Sequence, residues 1–435
     1  MNKITITFLM ISFVIASCKK ETVQPTTTTI TENYNPPSNN SSIVEQFTSN
    51  ASTFNSIHKM IPASNIISDN NIIYYGNEST NKNIPKYVLK KQSTSGVVIW
   101  SNNIDMYAYS MKNLSTINPM LDDIYCLFGG KDNNGDGTVE NACISTFDKN
   151  GTLISTKINA DPNYSTCFVT SLESYVIGCD TLRIYVMGYG IKNNIYYPFI
   201  KSYNIDDNGN IREGIPCGDI PITEGIDINQ PNKYYSGATN YHLTLKGTAT
   251  NSKLSYLQKV DIGNVFSPTW EKQIEGNIGT NNISSDGSNY YICGSEDDNS
   301  MAVGSNNYIW QNAILYKFNS SGSQLWKAVV KCSDNDKNYD DIFNDVIHSP
   351  INNSTYCAGH HSTFSKDGIS YGNGLISKIN SNTGIIEYSY SIGDKTYSTS
   401  LNSILSLGGN IYSGGYTNYK NTASGYKTWF VKTNF

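Results

Sequence analysis

The residues with the most definite chemical spacing lie between Asp132 and Glu140. The run Asp132-Asn133-Asn134-Gly135-Asp136-Gly137-Thr138-Val139-Glu140 places side-chain oxygens at positions one, three, five and nine. Those are Asp132, Asn134, Asp136 and Glu140. Calcium is a hard cation that takes about six to eight oxygen ligands, and this spacing wraps carboxylates and an amide around one point. Position twelve holds Cys143, where a full twelve-residue calcium loop carries its bidentate Glu. Calcium here would stiffen the loop. The same residues also suit a solvated hairpin in a chain rich in Asn.

The histidines are a weaker case. His348, His360 and His361 fall near Asp340, Asp341 and Asp345. A transition-metal site needs three or four convergent ligands. The repeat described below puts His348 on the first strand of its unit and His360-His361 in the loop after the second, at opposite ends. No metal site is therefore expected there. No Ser-His-Asp or Cys-His arrangement follows from spacing, so no catalytic residue is assigned. Cys126 and Cys143 flank the Gly135 loop symmetrically, on strands expected to pair, which suits a cross-strand disulfide in an exported chain. Cys167 and Cys217, both read as lying in connections between units, are a weaker pair. Cys293 and Cys357 occupy matching core positions, where a thiol packs as a small hydrophobe.

Bulk properties narrow the classes. Of 435 residues, 38% are hydrophobic and 15% charged, and 32 are Tyr, a residue that suits pleated, half-buried strands. The formal net charge of -5 argues against general nucleic-acid binding, which needs a basic surface. No stretch after the N-terminus is apolar for long enough to span a bilayer as a helix.

The N-terminus is an export signal. Lys3 supplies a positive start, Ile4 to Ile15 a short apolar core, and Ala16-Ser17 the small residues of a cleavage site. Ile15-Ala16-Ser17-Cys18 resembles the bacterial lipobox. The resemblance implies cleavage before Cys18, acylation of that residue and a membrane anchor through lipid. Position 19 is Lys, not the Asp that resembles an inner-membrane retention signal, so an outer-membrane lipoprotein is expected, its face left open. Thr26 to Thr29, Pro36-Pro37 and Asn39 to Ser42 read as a disordered polar tether. The expected division is signal peptide 1–17, lipidated Cys and tether 18–52, folded domain 53–435.

The folded part repeats. Tyr-rich apolar runs end at Gly76, Gly129, Gly188, Gly247, Gly294, Gly359 and Gly414, about 47 to 65 residues apart. Each is followed by a variable polar loop and a hairpin. The third strand ends on an apolar residue and then Asn or Asp, as in Phe147-Asp148, Val260-Asp261, Phe318-Asn319 and Ile379-Asn380. The turn after it carries Gly96, Gly151, Gly209, Gly322 or Gly384, a residue such turns need. Trp100, Trp270 and Trp326 mark the fourth strand in three units. Pro198 makes the third unit the poorest match.

The fold predicted is all-β: a seven-bladed β-propeller of four-stranded antiparallel blades. The C-terminal run Trp429 to Phe435 reads as a third strand lacking a fourth, and Phe54 to Ile61 as the strand that completes it. Closure of this kind removes exposed edges. The pattern resembles bacterial propeller repeats of the quinoprotein-like and related secreted kinds, and the Asp132 loop resembles the calcium loops of integrin-type propellers. The vicinal Cys pair of quinone-using dehydrogenases is missing, so no quinone cofactor is expected.

Long loops should gather on one face, where function on rigid scaffolds tends to sit. Tyr308, Trp310, Phe364 and Tyr371 on these loops suit sugar stacking or protein docking, and equally suit packing of the loops themselves. The first reading is a monomeric envelope lipoprotein whose propeller binds a protein or glycan. The alternatives are a polysaccharide-active enzyme, a glycosidase or lyase, and a structural envelope component. Fold alone does not decide among them.

Overall fold

The computed structural model describes residues 26–32, 43–47 and 55–433, except segments 65–69, 80–85, 117–122, 136–137, 160–163, 177–180, 193–194, 215–234, 239–240, 248–252, 261–267, 275–277, 298–310, 333–338, 365–369, 394–397 and 419–425. Two strands come first, β1 (Thr26–Glu32) and β2 (Ile43–Phe47). Four-stranded antiparallel meanders follow. The first holds β3 (Ser56–Pro62), β4 (Asn71–Asn77), β5 (Tyr87–Ser93) and β6 (Val98–Ile104), and the next β7 (Tyr107–Asn113), β8 (Tyr125–Lys131), β9 (Asn141–Phe147) and β10 (Leu153–Asn159). Then come β11 (Thr166–Val176), β12 (Thr181–Lys192), β13 (Ile195–Asp206) and β14 (Ile211–Glu213), followed by β15 (Tyr235–Ala238), β16 (Tyr241–Gly247), β17 (Lys253–Val260) and β18 (Pro268–Ile274).

Two more meanders, β19 (Ile278–Ser285) to β22 (Gln324–Cys332) through β20 (Asn289–Asp297) and β21 (Gln311–Asn319), and β23 (Tyr339–Ser349) to β26 (Ile386–Ile392) through β24 (Ser354–Phe364) and β25 (Ser370–Asn380), form one nine-stranded sheet with β1. A single bridge, Gln311 to Asp340, joins the two meanders. The last sheet orders β27 (Thr399–Leu407), β28 (Asn410–Thr417), β29 (Lys427–Thr433) and then β2. The first strand of each meander touches the first strand of the next, from β3 through β7, β11, β15, β19 and β23 to β27, and β27 touches β3. The fold is all-β and propeller-like.

The N-terminal strand that completes the last sheet is not the one expected. β2 pairs with β29, Ile43 opposite Thr433 and Phe47 opposite Trp429. The Ser56–Pro62 stretch opens the first sheet by pairing with β4. Ile57 still lies close to the last sheet, sharing a core with Tyr412 and Phe430. The segment read as tether thus supplies two strands. β1 lies parallel on the outer edge of β22, Thr28 opposite Ala328. Both segments hold β-branched residues, which suit strands, and their main chain pairs with an outer strand; their polar neighbours conceal this in the composition.

Burial follows strand rank. The second strands are buried on both faces, as Ile72 to Gly76 in β4 and Tyr125 to Gly130 in β8. They sit between neighbouring sheets and so read as continuous apolar runs. The outer β6 alternates towards solvent. The Asn and Asp at the ends of third strands cap the next turn: Asn319 Oδ1 accepts the Ser321 and Ser323 amides at 3.0 and 2.9 Å, and Asp148 Oδ1 those of Asn150 and Thr152 at 2.9 and 2.7 Å. These are Asx turns, which such side chains favour. Pro198 pairs with Tyr189 on a stretch of β13 that β14 does not reach, so no outer ladder bond is lost.

The fourth-strand Trp residues latch neighbouring sheets. A Cβ built on Gly151, Gly322 or Gly384 would meet Trp100 at 2.5 Å, Trp270 at 2.7 Å or Trp326 at 2.8 Å, each from the preceding meander. These glycines have φ near +75°, so both the turn and the indole require the absent side chain. Trp326 Nε1 also donates to the Ser381 carbonyl at 3.2 Å. Trp326→Ala is expected to cost about 3–5 kcal/mol of unfolding free energy in a denaturant titration, as for other buried large aromatics.

Candidate functional site

Six of the seven inner strands carry a bulge that faces one cavity. Their register shifts between Ile57 and Lys59 in β3, Ala108 and Ser110 in β7, Val169 and Ser171 in β11, Thr280 and Asn282 in β19, Phe343 and Asp345 in β23, and Leu401 and Ser403 in β27. The bulged residues are His58, Tyr109, Thr170, Asn281, Asn344 and Asn402. In β15 the shift lies against the hairpin end instead. A bulge re-aims a side chain and leaves part of the ladder open.

The recurring glycines are the counterpart of these bulges. Gly76, Gly129, Gly188, Gly359 and Gly415 each pair with the residue before a bulge, and a Cβ on any of them would lie 1.8 to 2.1 Å from a carbonyl oxygen of the bulged strand. In the last sheet the residue so placed is Gly415, one past the Gly414 singled out by the repeat. Gly247 has no such role and pairs with Lys253.

All six bulged residues line one cavity of about 430 Å³. Tyr107 and Tyr109 form an aromatic wall, with the Phe168 ring 5.4 and 6.0 Å from theirs. Across the circuit stand the amides of Asn281, Asn282, Asn344 and Asn402. Three of these are fixed by a repeating bond. Asn281 donates to the Phe343 carbonyl at 2.8 Å, Asn344 to that of Leu401 at 2.9 Å, and Asn402 to that of Ile57 at 2.9 Å. Every acceptor is the residue just before the next strand's bulge.

Asp345 gathers the rest. Its carboxylate is buried, and Oδ2 accepts from Lys59 Nζ at 2.7 Å, the Ser403 hydroxyl at 3.1 Å and the Ile404 amide at 3.0 Å. Oδ1 accepts from the Val346 amide at 3.0 Å and from Asn282 Nδ2. Five donors from β3, β19, β23 and β27 satisfy one buried charge, which would otherwise be costly. His58 Nε2 sits 3.1 Å from both Ser56 Oγ and Asn77 Oδ1, and burial holds its pKa below the usual value. Lys112, also on the wall, donates to the Leu172 carbonyl at 2.8 Å.

The residues singled out in the sequence fare unevenly. Tyr308 and Trp310 lie outside the described residues, as do Cys18 and Cys217. Phe364 and Tyr371 fall on β24 and β25, opposite Ser370 and Thr363. Asp136 is outside the described residues. Of its neighbours, Asp132 Oδ1 accepts the Gly135 amide at 2.6 Å and Glu140 Oε2 that of Asn133 at 2.8 Å. Glu140 Oε1 is buried with no partner among the described residues. Three or more metal-ligating side chains converge nowhere among the described residues.

The Cys126–Cys143 disulfide does not form. Cys126 pairs with Thr146 and Cys143 with Gly129, so the two are offset by three residues and face different cores. Both thiols are free, and burial pushes them up to about 12 and about 11. Cys167 is buried within β11 and not in a connection. His360 and His361 lie within β24 and not in the following loop, and His361 Nδ1 bonds the buried Asp341 carboxylate. Sequence reasoning missed the cavity because bulges erase strand alternation. In five of the units the trace they leave is a bulged His, Tyr, Thr or Asn directly after an apolar residue of the first strand, as in Ile57-His58, Ala108-Tyr109, Val169-Thr170, Phe343-Asn344 and Leu401-Asn402.

No protein-family model and no curated protein matches the chain. Among solved structures, it is similar to the polysaccharide lyase Uly1 at 8% identity and TM-score 0.49, covering 90% of this chain and 99% of that one. Raptor of Chaetomium thermophilum is similar at 8% identity and TM-score 0.45; 87% of this chain spans only 28% of that one. The GH93 α-L-arabinofuranosidase of Fusarium graminearum follows at 9% identity and TM-score 0.39, covering 93% and 96%. These scores are too low to assign an activity or a residue.

His360, 3.5 Å from the Asn344 amide, gives a pH prediction. Burial pushes its pKa down to about 4, outweighing the opposing pull of Asp341. The unfolded chain binds that proton near pH 6.5. Its contribution to stability is therefore complete above about pH 6.5 and is lost as pH falls towards 4. In unfolding titrations across that window, His360→Gln should flatten the acid-side slope.

Proposed function

We propose that the chain is a lipid-anchored envelope protein whose meanders close into a seven-bladed propeller, and whose axial cavity binds a glycan. The observation that carries the binding reading is the cavity's division into an aromatic wall, Tyr107 and Tyr109, and an amide wall, Asn281, Asn344 and Asn402. Aromatic rings cover the apolar face of a sugar while fixed polar groups meet its hydroxyls. Held side chains lose little freedom on binding. The circuit of inner-strand contacts from β3 round to β27 supports the blade count.

Binding is favoured over hydrolysis by the state of Asp345. A glycosidase needs two carboxylates free to act across the scissile bond. Asp345 is the one carboxylate lining the cavity among the described residues, and five donors already occupy it. The lipid anchor at Cys18, an outer-membrane address and a calcium loop at Asp132, Asn134, Asp136 and Glu140 belong to the same proposal. The bare Glu140 Oε1 supports the calcium loop.

A soluble form should keep β2, so Cys18→Ser in the mature chain is preferred to a truncation at residue 52. On a glycan array this protein should bind a defined oligosaccharide, and Tyr109→Ala should weaken that binding at least about tenfold, as expected for an aromatic anchor. Retention of full affinity by the variant would remove the cavity from the reading. Calcium should raise the melting temperature of the parent but not of Asp132→Ala; an unchanged parent would end the calcium proposal.

A further inference from the structure

We infer that the cavity receives the end of a glycan chain and not its middle. This rests on the glycan-binding reading above. Its lining comes from β3, β7, β11, β19, β23 and β27. Those strands are six of the seven in a closed circuit of contacts, β15 adding no lining residue among those described, so the wall turns round most of the ligand. A groove has two open ends and lets a polymer enter and leave along it. A ringed socket offers a mid-chain sugar no lateral exit for its second neighbour.

Size points the same way. The volume of about 430 Å³ is near the lower end of the roughly 300–1,000 Å³ of ligand pockets, with room for about one or two sugar rings. The bulges sit at or before the middle of the inner strands, from the third residue of β3 and of β7 (His58 and Tyr109) to the sixth of eleven in β23 (Asn344). In an antiparallel meander the starts of the first strands carry the loops between second and third strands. The socket therefore reaches no further from the loop face than the strand midpoints, where a chain terminus can enter it. The amides of Asn344 and Asn402 are tied across strand boundaries, so the wall cannot part to admit a polymer sideways without breaking bonds between β23, β27 and β3.

The test uses the mature Cys18→Ser chain on an array in which each oligosaccharide is shown twice, bare and extended by one residue at its non-reducing end. Extension should reduce binding at least tenfold for whichever sugar binds, and Tyr109→Ala should reduce binding of the bare form to a similar degree. Equal binding of bare and extended forms, with Tyr109→Ala still impaired, would overturn end recognition and leave glycan binding standing. Binding of no oligosaccharide in either form would overturn both.

Discussion

A buried carboxylate that must be satisfied from four strands at once is the constraint on which this structure turns. Asp345 lies on β23, yet its donors include Lys59 on β3 and Ser403 on β27, near opposite ends of the folded chain. Lys59 and Asp345 are 286 residues apart in sequence. If the first sheet separated from the rest, the buried charge would lose Lys59, the cation among its five donors. Leaving such a charge unpaired is among the larger single penalties available to a fold. Asn402, donating from β27 to the Ile57 carbonyl of β3, acts on the same seam, while Asn281 and Asn344 tie the two preceding strand boundaries and β2 completes the outside of the last sheet. Main-chain pairing closes the outside and side-chain bonding closes the inside.

Cavity and closure share one cause. Each of the six bulges turns a side chain to the cavity, and those of β3, β23 and β27 leave the preceding carbonyl to accept an Asn amide. On β19, β23 and β27 the inward residue is Asn, which spends its amide on the freed carbonyl of the next strand. On β3 and β7 it is His58 and Tyr109, which leave the half-circle aromatic. The division between the two walls follows from which residue type fills the same bulge in successive meanders. The same bend explains the glycines of the second strands, since the displaced backbone occupies the space of a Cβ.

Much of the fold was legible in the sequence because its signals are local. Apolar runs ending in Gly, Asn or Asp before a Gly turn, and a Trp in the fourth strand each report a contact within a strand pair or with the next turn. Trp326 and Gly384 were each placed, one on a fourth strand and the other in a turn, but that the indole covers the next unit's glycine came only with the structure. The closing strand was not, because Ile43 to Phe47 is short and set in polar chain, whereas Ser56 to Pro62 has the more strand-like pattern. The cavity was hidden for a different reason. Asp345 and Lys59 carry no local mark of their pairing, and a bulge breaks the two-residue period that identifies a strand. The proposed Cys126–Cys143 bond failed on register, which depends on the length of the Gly135 loop and not on the symmetry of the sequence around it.

The central claim is that Asp345 ties the beginning of the folded chain to its end. A double-mutant cycle on unfolding free energy, with Lys59→Met, Asp345→Asn and the pair together, measures that tie directly. Strong coupling, about 1–3 kcal/mol, is the result predicted for two groups in one buried network. Additivity within about 0.5 kcal/mol would mean that the two residues do not hold each other, and would contradict the account.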